Sequence, residues 1–339
     1  MNMGNITMLN YKEFNNCVTR INKWYKKESK IITVITSPYN TTLIYSSIIS
    51  EVMRNKGKIL YIWGHEEENR ELINNIKLKV NDFKYAFLRS GKEDVDITFT
   101  SFKNVINIRG FYDLCIIDDI SKLSLMTKDK IIELVEGMYI YNKRIIIYGV
   151  EKVIAMGERI EVTSIISKKP FIEPRIINTR INLEEDIPYA VYDYLKWFID
   201  NKRTVVIYVP TAEKVKKVYS IYSEVPKLEN VKIINLTIGD NLKKLEKNIK
   251  IKGKAVFIIT NYYGEYLSSL NNLDIVMLFS DNRFYSYKKI LYLCAEVGKD
   301  NEKPGEVLMV SKDISTDMDV SKKMARDFNK KIWEKGLLR

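Results

Sequence analysis

Between Lys30 and Val150 the chain alternates apolar runs of strand length with segments whose apolar residues recur every three to four positions. The runs are KIITVIT, KILYIW, KYAFL, DVDITFT, DLCIIDD and RIIIYGV; the periodic segments predict helices over Thr41 to Asn55 and Glu66 to Val80, after an opening helical stretch, YKEFNNCVTRINKWYKKE. Runs with little polar alternation suit strands buried on both faces. Joined through helices, they require crossover connections and hence a doubly wound, mainly parallel sheet.

The stretch EKVIAMGERIEVTSIISKKPFIEPR interrupts this rhythm with Pro170 and Pro174, and a domain boundary is expected within it. A second series follows, with strands RIINTRI, TVVIYV, VKIINL, AVFIIT, DIVMLF and GEVLMV. Its helices are expected near Ile187–Ile199, Ala212–Ser223, Leu242–Ile249, Tyr285–Ala295 and Val320–Lys335. A chain of 339 residues accommodates two such α/β domains, taken here as 1–160 and 161–339.

Several function classes are excluded by what the chain lacks. No apolar stretch approaches the roughly 18 residues that span a bilayer. The N-terminal segment MNMGNITMLNYKEFNNC has no basic-then-apolar order of a secretory signal, so a cytoplasmic protein is expected. Cys17, Cys115 and Cys294 are scattered and odd in number, which argues against a disulfide framework or a zinc site. His65 is the single histidine, which excludes a multi-histidine metal centre. No G-x-G-x-x-G follows any strand, so a dinucleotide fold is disfavoured.

Charge points to a polyanionic partner or to a solvated lysine face. Lysine and arginine number 55 against 43 acids, and the excess is concentrated: 13 basic and 5 acidic residues from Lys202 to Lys254, and 7 and 2 from Val320 to Arg339. Tyr219, Tyr222, Tyr262 and Tyr263 interleave with the lysine excess of this second half, where aromatic rings would stack on bases or fill a core.

Two local features bear on chemistry. Ser37 to Thr42 joins a strand to a helix, as a phosphate loop does, but Pro38 lacks an N–H and no lysine or glycine is present. A hydroxyl at Thr42 and a helix N-terminus remain, which suit magnesium and an anion or simply an ordinary turn. Asp118 and Asp119 end a buried strand, where one carboxylate would hold magnesium and its neighbour orient a water, or both would serve a turn.

Taken in order, these features resemble the superfamily 2 helicases, and within them the late-competence DNA-uptake ATPases related to the primosomal helicase. PYNTT falls on the Walker A sequence GAGKT, with Thr41 in the lysine place and Thr42 in the hydroxyl place. ILYIWGHEEENREL fits the next family segment, His65 standing for an arginine while Glu71 and Leu72 match. Thr100 and Ser101 of ITFTSFKNVI take the places of the Thr-Thr pair that contacts a nucleic acid backbone. CIIDDIS matches the DEAD-like motif, Asp118 keeping the magnesium-binding aspartate and Asp119 replacing the water-activating glutamate. Tyr148, Gly149 and Val150 replace the whole of the motif SAT.

In the second half VVIYVPTAEKVKKVY is similar to the strand ending FVPT, with Pro210 and Thr211 matching. IITNYYGEYL resembles TTILERG, keeping Thr260 and Glu265 with Tyr266 in the arginine place. YLCAEVGKDNEKPGEVLMV resembles QIAGRVGR and the strand after it, keeping Val297 and Gly298 while Glu296 and Lys299 hold the two arginine positions. The family's four-cysteine zinc module has no counterpart.

The resemblance implies two tandem RecA-like domains and a set of sites. The catalytic pair would be Asp118 and Asp119, weakened or vestigial; ATP would lie against Asn40, Thr41, Thr42 and Lys299, with magnesium on Thr42 and Asp118. Nucleic acid, single-stranded DNA in the first instance, would meet Thr100, Ser101, Pro210, Thr211 and Thr260. The departures fall on groups that carry charge to the phosphates, and an arginine finger alone is worth about 10³ to 10⁵ in rate. A nucleic-acid-binding protein of DNA uptake, repair or processing is therefore expected, with partners from those processes and with ATP hydrolysis weak or lost. An active ATP-dependent DNA translocase and a protein-interaction scaffold are the alternatives.

Overall fold

The computed structural model describes residues 10–27, 29–124, 126–163, 165–166, 169–224, 228–237, 253–264, 267, 270–299 and 305–337. The chain divides into two compact units, Met1–Pro170 with Lys330–Arg339, and Phe171–Asn329.

The first unit holds helix α1 (Tyr11–Tyr25), β1 (Ile31–Ile35), a 3-10 turn (Thr42–Tyr45) leading into α2 (Ser46–Arg54), β2 (Ile59–Trp63), α3 (Arg70–Lys77), β3 (Tyr85–Phe87), β4 (Ile97–Ser101), β5 (Leu114–Asp118), α4 (Lys128–Tyr139), β6 (Ile145–Gly149) and β7 (Glu158–Glu161). The strands form one sheet in the order β3-β4-β2-β5-β6-β1-β7, and every pairing is parallel. All residues of β1, β2, β4, β5 and β6 are buried, as the apolar runs require. Successive side chains alternate between faces. Leu60, Ile62, Cys115, Ile117, Ile145 and Ile147 pack with Ile131 and Val135 of α4 on one face. Tyr61, Asp118 and Tyr148 consequently project from the other.

Strand β7 lies in the stretch taken from sequence as a boundary, and across position 160. Only Ile160 of its four residues is buried, so it carries almost no apolar signal. Its flanking charges suit a sheet edge: Glu158 pairs with Lys27 at 3.1 Å and Glu161 with Lys331 at 2.6 Å. Gly157 makes the approach possible. It sits at φ +87°, and a Cβ there would lie 2.5 Å from the carbonyl of Ile31.

The second unit holds β8 (Arg175–Asn178), α5 (Tyr189–Asp200), β9 (Thr204–Tyr208), α6 (Ala212–Glu224), β10 (Val231–Leu236), β11 (Ala255–Thr260), β12 (Leu273–Leu278), α7 (Tyr287–Val297), β13 (Val307–Ser311) and most of α8 (Thr316–Glu334), whose residues from Lys330 on count with the first. Its sheet runs β10-β11-β9-β12-β13-β8, again parallel at each pairing. Cores fill both of its faces. The helix expected over Leu242–Ile249 lies outside the described residues. The described residues contain no helix long and apolar enough to cross a membrane.

Candidate functional site

Sheet register brings the candidate residues of the first unit together. Asp118, the last residue of β5, pairs with Tyr148 on β6 and with Trp63 on β2, while the loop Thr36–Thr41 leaves β1 on the far side of β6. The carboxylate strand and the loop strand are thus separated by one strand, β6. Asn40, Thr41, Thr42, Asp118 and Asp119 are all buried there.

The loop is held by its own side chains. Thr36 N donates to Gly149 O at 3.0 Å and Tyr39 N to Ile120 O at 3.1 Å, with Tyr39 in the left-handed region at φ 58°. Asn40 Nδ2 donates to Thr36 Oγ1 at 2.8 Å, and Asn40 Oδ1 accepts the backbone N–H of Thr41 at 2.9 Å. Thr41 Oγ1 caps the 3-10 turn by accepting from Leu43 N at 3.1 Å. The Tyr148 hydroxyl donates to Thr41 O at 3.2 Å, and its ring meets Tyr45 edge-on with centroids 5.2 Å apart.

A second set of bonds runs from the turn to the strand ends. Asn69, the N-cap of α3, accepts from Leu72 N at 3.0 Å through Oδ1 and donates through Nδ2 to Thr42 Oγ1 at 3.3 Å. The Tyr61 hydroxyl is hydrogen-bonded to Asn69 as well, and donates to Asp118 Oδ2 at 2.5 Å. The other carboxylate oxygen, Asp118 Oδ1, accepts from Ile120 N at 3.2 Å and Ser121 N at 2.9 Å. Asp119 is anchored through its backbone, N to Tyr148 O at 2.9 Å.

Burial dominates the electrostatics. It pushes the Asp118 carboxyl above the ordinary aspartate range, against the opposing pull of the Tyr61 hydroxyl and the two turn N–H groups. Burial likewise holds the phenols of Tyr45, Tyr61 and Tyr148 well above their usual range, with the neighbouring carboxylate adding to it at Tyr61 and Tyr148. Tyr61 is the member of this cluster that sequence reading missed. It is an ordinary strand residue by pattern, and only register shows its hydroxyl to be opposite Asp118.

A nucleotide with magnesium would need outward-facing N–H groups and a carboxylate oxygen to spare. In this loop Pro38 has no N–H, and those of Tyr39, Thr41 and Leu43 are used internally. Both Asp118 oxygens and the Thr42 hydroxyl are engaged. The residues present do not fit that group in this arrangement.

The remaining candidates lie elsewhere. Thr100 is fully buried and donates its hydroxyl to Leu88 O at 2.9 Å, whereas the neighbouring Ser101 hydroxyl, also buried, has no hydrogen-bond partner among the described residues. In the second unit Thr211 caps α6, its Oγ1 accepting from Lys214 N at 3.3 Å beside the buried Pro210. Thr260 is fully buried and its hydroxyl accepts from Tyr262 N at 2.9 Å. Lys299 pairs with Glu296 at 2.8 Å. Part of the basic stretch is internal: Lys214 and Lys217 both pair with Glu184. Of the interleaved tyrosines, Tyr222 is core and Tyr263 stacks on the buried Tyr208 with centroids 4.5 Å apart.

No protein-family model matches the chain, and no curated protein matches its sequence. Solved structures do match its architecture. The E. coli DExH-box NTPase HrpB superposes over 93% of this chain with a TM-score of 0.53 at 10% identity. Mss116p, solved bound to ssRNA and AMP-PNP, covers 89% with a TM-score of 0.53 at 12% identity. The fold is that of paired RecA-like helicase domains. RecG bound to a three-way DNA junction agrees, covering 94% of the chain with a TM-score of 0.51 at 9% identity. The chain spans 43% of the length of HrpB, 46% of RecG and 73% of Mss116p.

Proposed function

We propose that this chain is a helicase-like nucleic-acid-binding protein that does not couple binding to ATP hydrolysis, acting in DNA uptake, repair or processing in the cytoplasm. The observation that carries this reading is the Tyr61–Asp118 hydrogen bond at 2.5 Å within a closed set of bonds reaching Asn69 and Thr42. A tyrosine hydroxyl stands where a working site would present its carboxylate to a metal. The departures from the family pattern, Thr41 for lysine and Glu296 and Lys299 for arginines, point the same way, because each removes or weakens a charge contact to a phosphate. ATP and magnesium have no role in this reading.

Single-stranded DNA is the proposed ligand. Ser101 and the Pro210–Thr211 corner of α6 would meet its backbone, with Thr100 and Thr260 fixing the strand ends beside them. The exposed lysines of the second unit would supply the field that draws it in. Uptake or repair proteins are the proposed partners.

Affinity for a fluorescent single-stranded oligonucleotide, measured across salt concentrations, tests the reading. About four phosphate contacts would cost roughly 50-fold in affinity between about 50 and 200 mM salt, through counterion release. Absence of binding, or binding indifferent to salt, contradicts it.

A further inference from the structure

A groove of about 730 Å³ opens at the ends of β2 and β4, lined by neither the loop Thr36–Thr42 nor Asp118. One wall is the segment after β4, with Phe102, Val105 and Ile106; the other is α4, with Leu134, Gly137 and Met138. Its size and apolar lining suit a flat organic group better than a bare ion.

Three observations narrow the occupant. Gly137 stands on the exposed side of α4, and a Cβ there would meet nothing within 4 Å. Glycine weakens a helix, and no packing among the described residues requires it at this position. Its lack of a side chain leaves the helix backbone open to close approach from the groove.

The groove lining also carries a buried polar atom without a hydrogen-bond partner among the described residues, Ser101 Oγ. Ser101 is 5% exposed, and a buried polar atom of this kind is seldom left unpaired. A ligand with both apolar faces and hydrogen-bonding edges would answer it; an aliphatic one would not.

The groove carries two lysines, Lys103 and Lys130, beside two carboxylates, Glu66 and Glu133. Glu66 lies between Arg89 at 3.4 Å and Lys103 at 3.7 Å, which leaves its negative charge compensated. Lys103 remains largely exposed, and Lys130 is exposed on α4 at the same groove.

We propose that this groove receives an unpaired nucleobase, which lies against Phe102 and over Gly137 while Lys103 and Lys130 carry the flanking phosphates. This rests on the nucleic-acid reading above and deepens it, because a base as well as a backbone is held. Stacking of a base on an aromatic side chain is sequence-tolerant and changes affinity about 5- to 100-fold.

The test compares two labelled strands of equal length by fluorescence anisotropy, oligo-dT and an oligomer whose sugars carry no bases, against wild-type protein and Gly137→Leu. Leucine is a good helix former, so the variant should melt at or above the wild-type temperature while filling the groove. The expected result is that wild type prefers oligo-dT to the abasic strand by roughly tenfold or more, and that Gly137→Leu removes this preference while still binding the abasic strand. Equal affinity of wild type for both strands, or a preference that Gly137→Leu leaves intact, overturns the base site while the backbone reading stands. Binding of neither strand by wild type removes both.

Discussion

Arg203→Ala is expected to destabilise the second unit by about 3–5 kcal/mol in chemical denaturation, because it strips the partner from a buried carboxylate. Arg203 precedes β9 and donates through Nε to Asp274 Oδ2 at 2.5 Å, while Asp274 Oδ1 accepts from Glu306 N at 2.6 Å. The two side chains are 3% and 0% exposed. Burial raises the Asp274 carboxyl, and the hydrogen bond from Arg203 is what chiefly restrains it. Without the guanidinium the folded-state value rises further. A raised carboxyl stabilises the fold at pH below its unfolded value and loses that contribution as pH rises through the folded one. The deficit of the variant should therefore shrink on acidification. Arg203→Met with Asp274→Leu should recover most of the loss, since no charge is then buried. A loss under about 1 kcal/mol for Arg203→Ala would contradict this account of the pair.

Tyr61→Phe is the second large effect expected, a loss of about 1.5–3 kcal/mol, because it leaves a buried Asp118 without its shortest hydrogen bond. The companion variant Asp118→Asn removes the charge but keeps an acceptor for the turn N–H groups. The destabilisation by Tyr61→Phe should be much smaller in the Asp118→Asn background, giving a coupling of about 1 kcal/mol or more in the double-mutant cycle. The sign of the pH dependence follows from the raised Asp118 carboxyl. Wild type is favoured relative to Asp118→Asn at acid pH, and the advantage passes to the variant as pH rises through the folded-state value. Added magnesium should leave the melting temperature of wild type unchanged. Additive single mutants, or stabilisation by magnesium that Asp118→Asn abolishes, would mean that the carboxylate faces a metal instead.

Much of the architecture was legible from the chain. Runs such as ILYIW, LCIID and AVFIIT are buried throughout because parallel strands between helices have no solvent face, and apolar continuity is a direct signature of that. Strand β7 was not legible, since an edge strand with one buried residue leaves no pattern. The candidate site was legible in part. Thr41, Thr42 and Asp118 do gather at the strand ends, as a phosphate loop and its aspartate would. Their closure by Tyr61, Tyr148 and Asn69 was hidden, because those residues come from three separate elements. Only sheet register and the cap of α3 bring them to the loop. Thr100 and Thr260 illustrate the same limit. Their motif positions are plain, but whether a hydroxyl faces outward or bonds within its own domain is decided by neighbours far away in sequence or by the local turn.

Phosphate release from ATP, measured at steady state with magnesium and with or without saturating single-stranded DNA, tests the central claim most directly. The expected result is strand binding accompanied by no DNA-stimulated release, with wild type and Asp118→Ala indistinguishable. A DNA-stimulated rate in wild type that Asp118→Ala abolishes would contradict it.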